Sequence, residues 1–180
     1  MLFAARQLLN QITVAALLLC GIVLAQAQDG SQSKASLIYK IARHSTWPKE
    51  KMMDGTPFVI GVIGHTGMRD SLTELTAGRQ FQQRDVLVKR LDNVQEIPSC
   101  HILFIADSEK DRLGPLISKA KSADVLTIGE SDNFLSKGGI FLLYENGHIR
   151  FDYERRNLRR IDVKVSPELL IMAEPRLAAK

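Results

Sequence analysis

The chain alternates short apolar runs with segments in which apolar residues recur every three or four positions. The run Cys100–Ala106 is apolar on both of its alternating faces, a pattern typical of a central strand that helices cover on both sides. Directly after it, Ser108 and Asp111 have a capping-box spacing, which predicts that the strand leads into a helix. A buried strand followed by a capped helix is half of a β-α-β unit, so the pattern predicts a parallel sheet.

Helical spacing of apolar residues predicts four helices. Ser33 is placed to cap the first, over Lys34–Ser45, and Pro48 stops it because proline restricts the residue before it to extended conformations. The second begins after Gly67, the third follows the central strand, and the last starts at Ser166, where an N-cap residue precedes proline and glutamate. The apolar stripe of the third helix is Leu113, Leu116, Ile117 and Ala120.

The remaining strands are predicted from apolar runs bounded by turn residues. Asn146-Gly147 is a strong hairpin signal, and it joins Ile140–Tyr144 to an antiparallel partner, Ile149–Tyr153. The run Val86–Val88 is short and edge-like. The sequence therefore predicts an α/β domain of three layers: a mostly parallel sheet with helices on both faces and an antiparallel hairpin at one side. The other predicted strands are Pro57–Ile63 and Asp124–Gly129.

The beginning of the chain has the pattern of a secretory signal peptide. The apolar run Ile12–Leu24 follows a single arginine and leads into Ala25–Ala27, an A-x-A cleavage pattern. This run is too short to span a bilayer comfortably, although an uncleaved anchor is the alternative. We expect residues 1–27 to be a signal peptide that is cleaved after Ala27. Residues 28–180 then form a single periplasmic domain.

Cysteine content and charge narrow the class of protein further. Removal of the signal peptide takes away Cys20, so Cys100 has no partner for an internal disulfide and the domain depends on its core for stability. The formal net charge of +4 includes Arg6, which is lost with the signal peptide. The small positive charge that remains does not indicate a nucleic-acid-binding protein.

No residue pattern indicates catalysis or cofactor binding. The four histidines fall in four different predicted elements, without the spacing of metal ligands. Cys100 and His101 are neighbours on a strand and point to opposite faces, so they do not form a nucleophile–base pair. Gly64 and Gly67 lack the third glycine of a dinucleotide-binding fingerprint. We therefore expect a protein that is not an enzyme and uses no metal or cofactor.

Arginines are concentrated in the segment Arg150–Lys164. If this segment is helical, Arg155 and Arg159 lie side by side. Arg156 and Arg160 then do the same. Such a cluster is either a solvated face or a contact for an acidic protein partner or for anionic membrane headgroups. These four arginines are the candidate partner-binding residues.

Taken together, the motifs resemble the YfiR family of periplasmic proteins, DUF4154. The resemblance covers nearly the whole mature chain, with the motifs in the right order. Phe151–Glu154 departs from the family pattern, which usually reads Phe-Glu-Ile-Asn and continues with small residues instead of arginines. The matching segments are KASLIYKIARHSTWP (Lys34–Pro48), FVIGVIG (Phe58–Gly64), SCHILFIADS (Ser99–Ser108), VLTIGE (Val125–Glu130), GGIFLLYENGHIRFDY (Gly138–Tyr153) and VSPELLIMA (Val165–Ala173).

The resemblance implies a regulator that acts through protein contact. YfiR-type proteins bind the periplasmic part of an inner-membrane diguanylate cyclase and repress its synthesis of cyclic-di-GMP. An outer-membrane lipoprotein sequesters the repressor, which favours biofilm formation, and the family tends to form homodimers. Disulfides found in other members have no counterpart here, unless Cys100 bridges two chains.

A second hypothesis is a periplasmic module that binds or senses a small ligand. In doubly wound α/β sheets, ligands bind in the crevice at the carboxyl ends of the parallel strands. In this chain the crevice would lie beyond Gly64, Asp107 and Gly129. The carboxylates of Asp107 and Glu130 would edge it, although they form no convincing acid–base pair.

Overall fold

The computed structural model describes residues 30–176. The predicted signal peptide and its cleavage site lie outside the described residues. The helices are α1 (30–43), α2 (Met68–Thr76), α3 (Leu113–Lys121), α4 (Arg155–Leu158) and α5 (Pro167–Ile171). The strands are β1 (Ser45–Thr46), β2 (Phe58–Ile63), β3 (Gln80–Phe81), β4 (Arg84–Arg90), β5 (Ile102–Ile105), β6 (Leu126–Gly129), β7 (Phe141–Asn146), β8 (His148–Tyr153) and β9 (Lys164–Val165). Within 30–176, no helix has the length and apolar character that a membrane span requires.

Seven strands form one sheet, in the order β3-β4-β2-β5-β6-β7-β8. The five inner strands are parallel to one another, and β3 and β8 pair antiparallel with them at the two ends. β5 lies in the middle, as its two apolar faces predict. The hairpin at Asn146-Gly147 joins β7 to β8 with Leu143 opposite Phe151, and Gly147 adopts the positive φ of +74° that such a turn needs. The predicted α/β class is confirmed.

Helices cover both faces of the sheet because two crossover connections run towards opposite ends of it, one from β2 to β4 and the other from β5 to β6. The crossover from β2 to β4 places α2 on one face, where α1 and α5 also pack. The crossover from β5 to β6 places α3 on the other face. The predicted stripe of α3 is buried throughout, against Leu103, Ile105 and Val125. Two separate apolar cores result, one on each side of the sheet.

Several local predictions were wrong. Ser33 lies inside α1, which already includes residue 30, because the apolar stripe of the helix says nothing about where its first turn begins. Ser108 and Asp111 do not form the predicted capping box. Residues Asp107–Arg112 form a 3-10 helix without a side-chain cap, and the hydroxyl of Ser108 accepts a hydrogen bond from the N–H of His65. β4 is not the edge strand, since the two-residue strand β3 pairs with its outer side.

Strict alternation along Cys100–Ala106 predicts that Cys100 shares a face with Ile102 and Phe104, and this prediction was also wrong. Alternation from Ile102 onwards holds, with Ile102 and Phe104 in one core and Leu103 and Ile105 in the other. Cys100 precedes the strand, at the end of a 3-10 helix, and therefore joins the core of Leu103. Its sulfur is fully buried.

Two glycines make room for one aromatic ring in the α3 core. Phe134 is completely buried between the end of β6 and the start of β7. A Cβ atom added at Gly129 would approach its ring to 2.4 Å, and one added at Gly139 would approach it to 2.2 Å. Only glycine fits at these two positions, and this close contact fixes the loop that connects the two strands.

Candidate functional site

The four candidate arginines are exposed on and just after the single turn of α4. Glu154 is the N-cap of this turn, and its carboxylate accepts a hydrogen bond from the backbone N–H of Arg156 at 2.9 Å. Arg159 continues the turn, because its N–H donates to the carbonyl of Arg155 at 3.1 Å. The two are thus one helical turn apart on the same side, as predicted, although the regular helix ends at Leu158.

Asn157 fixes the arginine turn to the rest of the domain. Its side chain is buried, and its Nδ2 group donates hydrogen bonds to the carbonyls of Leu135 at 2.9 Å and Gly139 at 2.8 Å. Leu158 packs on the core, and Ile161 is buried just beyond the turn. The arginines therefore project from an anchored backbone.

The arginine side chains carry charge that the described residues do not neutralise. None of Arg155, Arg156, Arg159 and Arg160 forms an ion pair within 30–176. The only hydrogen bond made by their guanidinium groups there is a long one, from Arg155 to the hydroxyl of Tyr153 at 3.5 Å. By contrast, Arg150 and Arg176 are paired with Glu174 and Asp132. The cluster is therefore available to an anionic partner.

A groove runs beside the arginine turn, between α4, α3 and the starts of β6 and β7, and has a volume of about 190 Å³. Arg160 lies at its rim together with two lysines that the sequence analysis did not single out, Lys121 and Lys137. The three cations come from distant parts of the chain, so no sequence motif connects them. The other lining residues are Gly114, Ile117, Ser118, Val125, Thr127, Gly138, Ile140, Asn157 and Ile161.

The predicted crevice beyond Gly64, Asp107 and Gly129 is present only in part, and beside Gly64 it is closed by direct contact of two loops. The N–H of His65 donates to the hydroxyl of Ser108 at 2.8 Å. Gly64 has a φ of +100°, and a Cβ added there would approach Ser108 Oγ to 2.6 Å and Ala106 Cβ to 2.9 Å. This tight packing leaves no room for a phosphate beside Gly64.

The part of the predicted crevice that Asp107 and Glu130 edge is present as a shallow acidic cleft of about 470 Å³, farther along the same edge of the sheet. Glu130 pairs with Lys34 and also accepts a hydrogen bond from the N–H of Asp107. Ser131 is 1% exposed, and its hydroxyl has no hydrogen-bond partner among the described residues. Besides these positions, the cleft is lined by Lys110, Asp111, Asp132 and Asn133.

The hydrogen bonds of His101 indicate a structural role, because both of its ring nitrogens are bonded to the backbone. Its Nδ1 atom accepts from the N–H of Val59 at 3.0 Å, so Nε2 carries the hydrogen and donates to the carbonyl of Lys51 at 2.9 Å. Burial lowers the pKa of this imidazole, because the charged form would lose water. Burial likewise raises the pKa of the Cys100 thiol. Both residues are therefore held in their neutral forms.

The other histidines are dispersed, as the sequence predicts. His44 Nδ1 lies 3.0 Å from the hydroxyl of Ser166, and His65 and His148 are exposed in separate loops or strands. In the part of the chain that the structure describes, no three His, Cys, Asp or Glu side chains come together as metal ligands.

The match to a family model decides which family the chain represents. The YfiR/HmsC-like model, DUF4154, matches residues 31–174, which is nearly all of the described chain. The chain belongs to this family. It is thus a YfiR-like regulatory protein, and the resemblance carried by its motifs is confirmed.

Among solved structures, the fold is similar to that of a conserved domain protein from Vibrio cholerae O1 biovar El Tor, strain N16961. The TM-score is 0.51 at 11% sequence identity, over 79% of this chain and 58% of that one. At this identity the likeness shows the fold alone. None of the curated proteins matches the chain.

Proposed function

We propose that this protein is a periplasmic repressor of an inner-membrane diguanylate cyclase. The mature protein, cleaved after Ala27, binds the periplasmic domain of the cyclase and reduces cyclic-di-GMP synthesis in the cytoplasm, which limits biofilm formation. It catalyses no reaction and needs no metal or cofactor. The observation that carries the proposal is membership of the YfiR/HmsC-like family over residues 31–174.

The arginine surface supports a mechanism based on protein contact. Arg155, Arg156, Arg159 and Arg160 form the contact with acidic side chains of the cyclase. Exposed charges of this kind chiefly raise the association rate and make binding sensitive to salt. Because the protein binds the inactive arrangement of the cyclase more tightly than the active one, binding shifts the population towards the inactive state.

Two further partners belong to the proposal. An outer-membrane lipoprotein competes for the repressor and so releases the cyclase. The repressor itself acts as a homodimer, which matches the two-fold symmetry expected of a dimeric receptor. The dimer is not joined by Cys100, because a fully buried sulfur cannot reach a second chain in the folded protein.

The experiment is a pull-down from detergent-solubilised membranes with tagged mature protein, followed by identification of the captured proteins. The matched variant changes Arg155, Arg156, Arg159 and Arg160 to Ala. We expect the wild-type protein to capture a diguanylate cyclase and the variant to capture much less. Capture by both proteins would keep the function but reject the arginine contact. Capture of no cyclase by the wild-type protein would reject the function.

The acidic cleft favours a second candidate, a module that senses a small cationic ligand. Its carboxylates would bind an ammonium or guanidinium group, and the unpartnered hydroxyl of Ser131 could accept or donate one hydrogen bond after a small movement. A thermal-shift screen with periplasmic amines tests this candidate. Stabilisation that disappears in Ser131→Ala and Asp111→Ala would support it, and a screen without any stabilising compound would reject it.

A further inference from the structure

The groove beside α4 combines an apolar floor with a cationic rim. Ile117, Val125 and Ile140 are at most 4% exposed and form the floor between α3 and the starts of the two strands. Lys121, Lys137 and Arg160 stand at the rim. Three cations and no carboxylate line the groove.

The size of the groove suits one large apolar side chain. Its volume of about 190 Å³ slightly exceeds that of an engineered protein cavity of roughly 150 Å³ that binds benzene. A Phe, Leu or Met side chain placed there would contact the aliphatic side chains of Ile117, Val125 and Ile140. Such central, well-packed anchors dominate the binding energy of protein interfaces.

Two polar side chains that line the groove, those of Thr127 and Asn157, are already engaged in hydrogen bonds with the backbone. Thr127 Oγ1 accepts from the N–H of Ile140 at 3.1 Å, and the amide of Asn157 donates to two backbone carbonyls. The N–H groups of Gly138 and Gly139 are also used within the loop, at 3.1 and 2.9 Å. The N–H groups of Lys137, Gly138 and Ile140, the loop residues that line the groove, are therefore all engaged, and none of them remains for a small anion such as phosphate. The negative charge of an occupant must therefore be met by the flexible side chains at the rim.

None of the three rim cations forms an ion pair with a residue of 30–176. Arg156 on α4 and Arg159 just after it are exposed close to Arg160 in the same turn of the chain, so the positive surface is wider than the groove. An occupant with one apolar side chain between acidic residues would satisfy both the floor and the rim.

We propose that the groove binds an acidic segment of the protein partner, with one Phe, Leu or Met side chain inserted between Ile117 and Ile140. Carboxylates on either side of that side chain pair with Lys121, Lys137 and Arg160. This inference rests on the proposed function and adds the anchor of the interface, whereas the arginines of α4 supply the surrounding charge.

The test fills the groove without changing any arginine. Ser118 is exposed on α3 and lines the groove, so Ser118→Trp places an indole in it. Thr73→Trp is the matched control, because Thr73 is an exposed hydroxyl residue on α2, which packs on the opposite face of the sheet. A second variant, Lys121→Glu with Lys137→Glu, reverses two rim charges and leaves the floor intact.

The affinity of each variant is measured by titration against the solubilised partner that the wild-type protein captures. We expect Ser118→Trp to weaken binding about tenfold or more, because it excludes the anchor side chain. The lysine variant should weaken it by a similar factor at low salt and show a smaller salt dependence. Thr73→Trp should bind like the wild-type protein, and all variants should keep its circular dichroism spectrum.

The outcomes separate the inference from the proposed function. If the wild-type protein captures a cyclase and Ser118→Trp binds it equally well, the groove is not the anchor site but the function stands. If the wild-type protein captures no cyclase, both are rejected. Anionic membrane headgroups are tested by co-sedimentation with phosphatidylethanolamine–phosphatidylglycerol vesicles. Vesicle binding that is abolished by Lys121→Glu with Lys137→Glu would also overturn the inference, because the rim would then bind lipid headgroups.

Discussion

The amide of Asn157 donates a hydrogen bond to the carbonyl of Gly139 at 2.8 Å, and this bond joins the arginine turn to the start of β7. The same amide also donates to the carbonyl of Leu135, so a single side chain connects α4 to the middle and to the end of the loop between β6 and β7. The loop carries Lys137, and α4 carries Arg155 and precedes Arg160. Asn157 thereby fixes the positions from which the cations of the candidate surface project.

Replacing Asn157 should therefore reduce both stability and binding. Asn157→Ala removes two buried hydrogen bonds and leaves the carbonyl of Gly139 without its donor, which we expect to cost about 1–3 kcal/mol of the free energy of unfolding. The carbonyl of Leu135 keeps the hydrogen bond from the N–H of Gly138. Denaturant unfolding measures this loss of stability, and the pull-down measures the accompanying loss of partner binding. The control, Asn133→Ala, changes an exposed asparagine of the loop between β6 and β7. It should change the free energy of unfolding by no more than about 0.5 kcal/mol. Equal stability of the two variants would contradict the anchoring role.

The contact between Phe134 and Gly139 predicts a steric defect that a second substitution relieves. In Gly139→Ala, the new methyl group overlaps the buried ring, and we expect a loss of about 1–3 kcal/mol on denaturant unfolding. Adding Phe134→Leu should make the effect of Gly139→Ala much smaller than it is alone, because the ring is gone. If the loss of stability in the double variant equals the sum of the losses in the two single variants, the steric explanation is contradicted.

Gly114 provides the matched control for that experiment. It lies in α3, and a Cβ added there has no atom within 4 Å. Gly114→Ala should therefore be neutral or stabilise the protein by up to about 1 kcal/mol, because alanine favours the helix over glycine. A loss comparable to that of Gly139→Ala would show that the method does not separate crowding from general damage.

His101 should make stability depend on pH. Burial depresses its pKa below the ordinary value of 6.5, and the cations Lys51 and Arg84 further disfavour a charged imidazole. The unfolded chain therefore binds a proton before the folded one does, so this contribution to stability is complete above pH 6.5 and is lost as the pH falls through the folded-state pKa. Protonation of Nδ1 would also break the hydrogen bond from Val59.

Unfolding at a series of pH values measures this contribution. We expect the denaturant midpoint to fall steadily as the pH is lowered from 6.5, and His101→Asn, which keeps an acceptor near Nδ1 but does not titrate, to fall less steeply. His65→Ala, at an exposed position, should retain the wild-type dependence. If the denaturant midpoint falls with pH equally steeply in the wild-type protein and in His101→Asn, the pH dependence arises from other groups.

Cys100 should be unreactive in the folded protein. Its sulfur is fully buried and burial raises the pKa of its thiol, so little thiolate is present and none is accessible. A thiol reagent should label the mature protein in strong denaturant but only very slowly without it. Rapid labelling of the folded protein, or a disulfide-linked dimer on a non-reducing gel, would contradict this assignment and reopen a redox role.

Much of the fold is predictable from local patterns because each strand and helix has its own period. The two apolar faces of Cys100–Ala106 place β5 at the centre, and Asn146-Gly147 gives the hairpin. The pairing of β1 with β9 is not predictable in this way. These strands have two residues each and are far apart in sequence, so only the tertiary structure brings Ser45 opposite Val165.

The candidate site is likewise predictable from the sequence only in part. The density of arginines in the segment after β8 is visible in the sequence, and the one-turn helix places Arg155 and Arg159 as its spacing predicts. The burial of Asn157 within that segment has no sequence signal, because an asparagine between arginines looks solvated. The groove is also hidden, since Lys121 and Lys137 meet Arg160 only after three separate elements pack together.

The most direct test of repression measures cyclic-di-GMP in cells that contain the captured cyclase. The gene for this protein is deleted and then restored as the wild type or as the variant with Ala at Arg155, Arg156, Arg159 and Arg160. We predict that deletion raises the cyclic-di-GMP level, that the wild type lowers it again, and that the variant, although exported and folded, does not. A level that is the same with and without the wild-type protein would contradict the account.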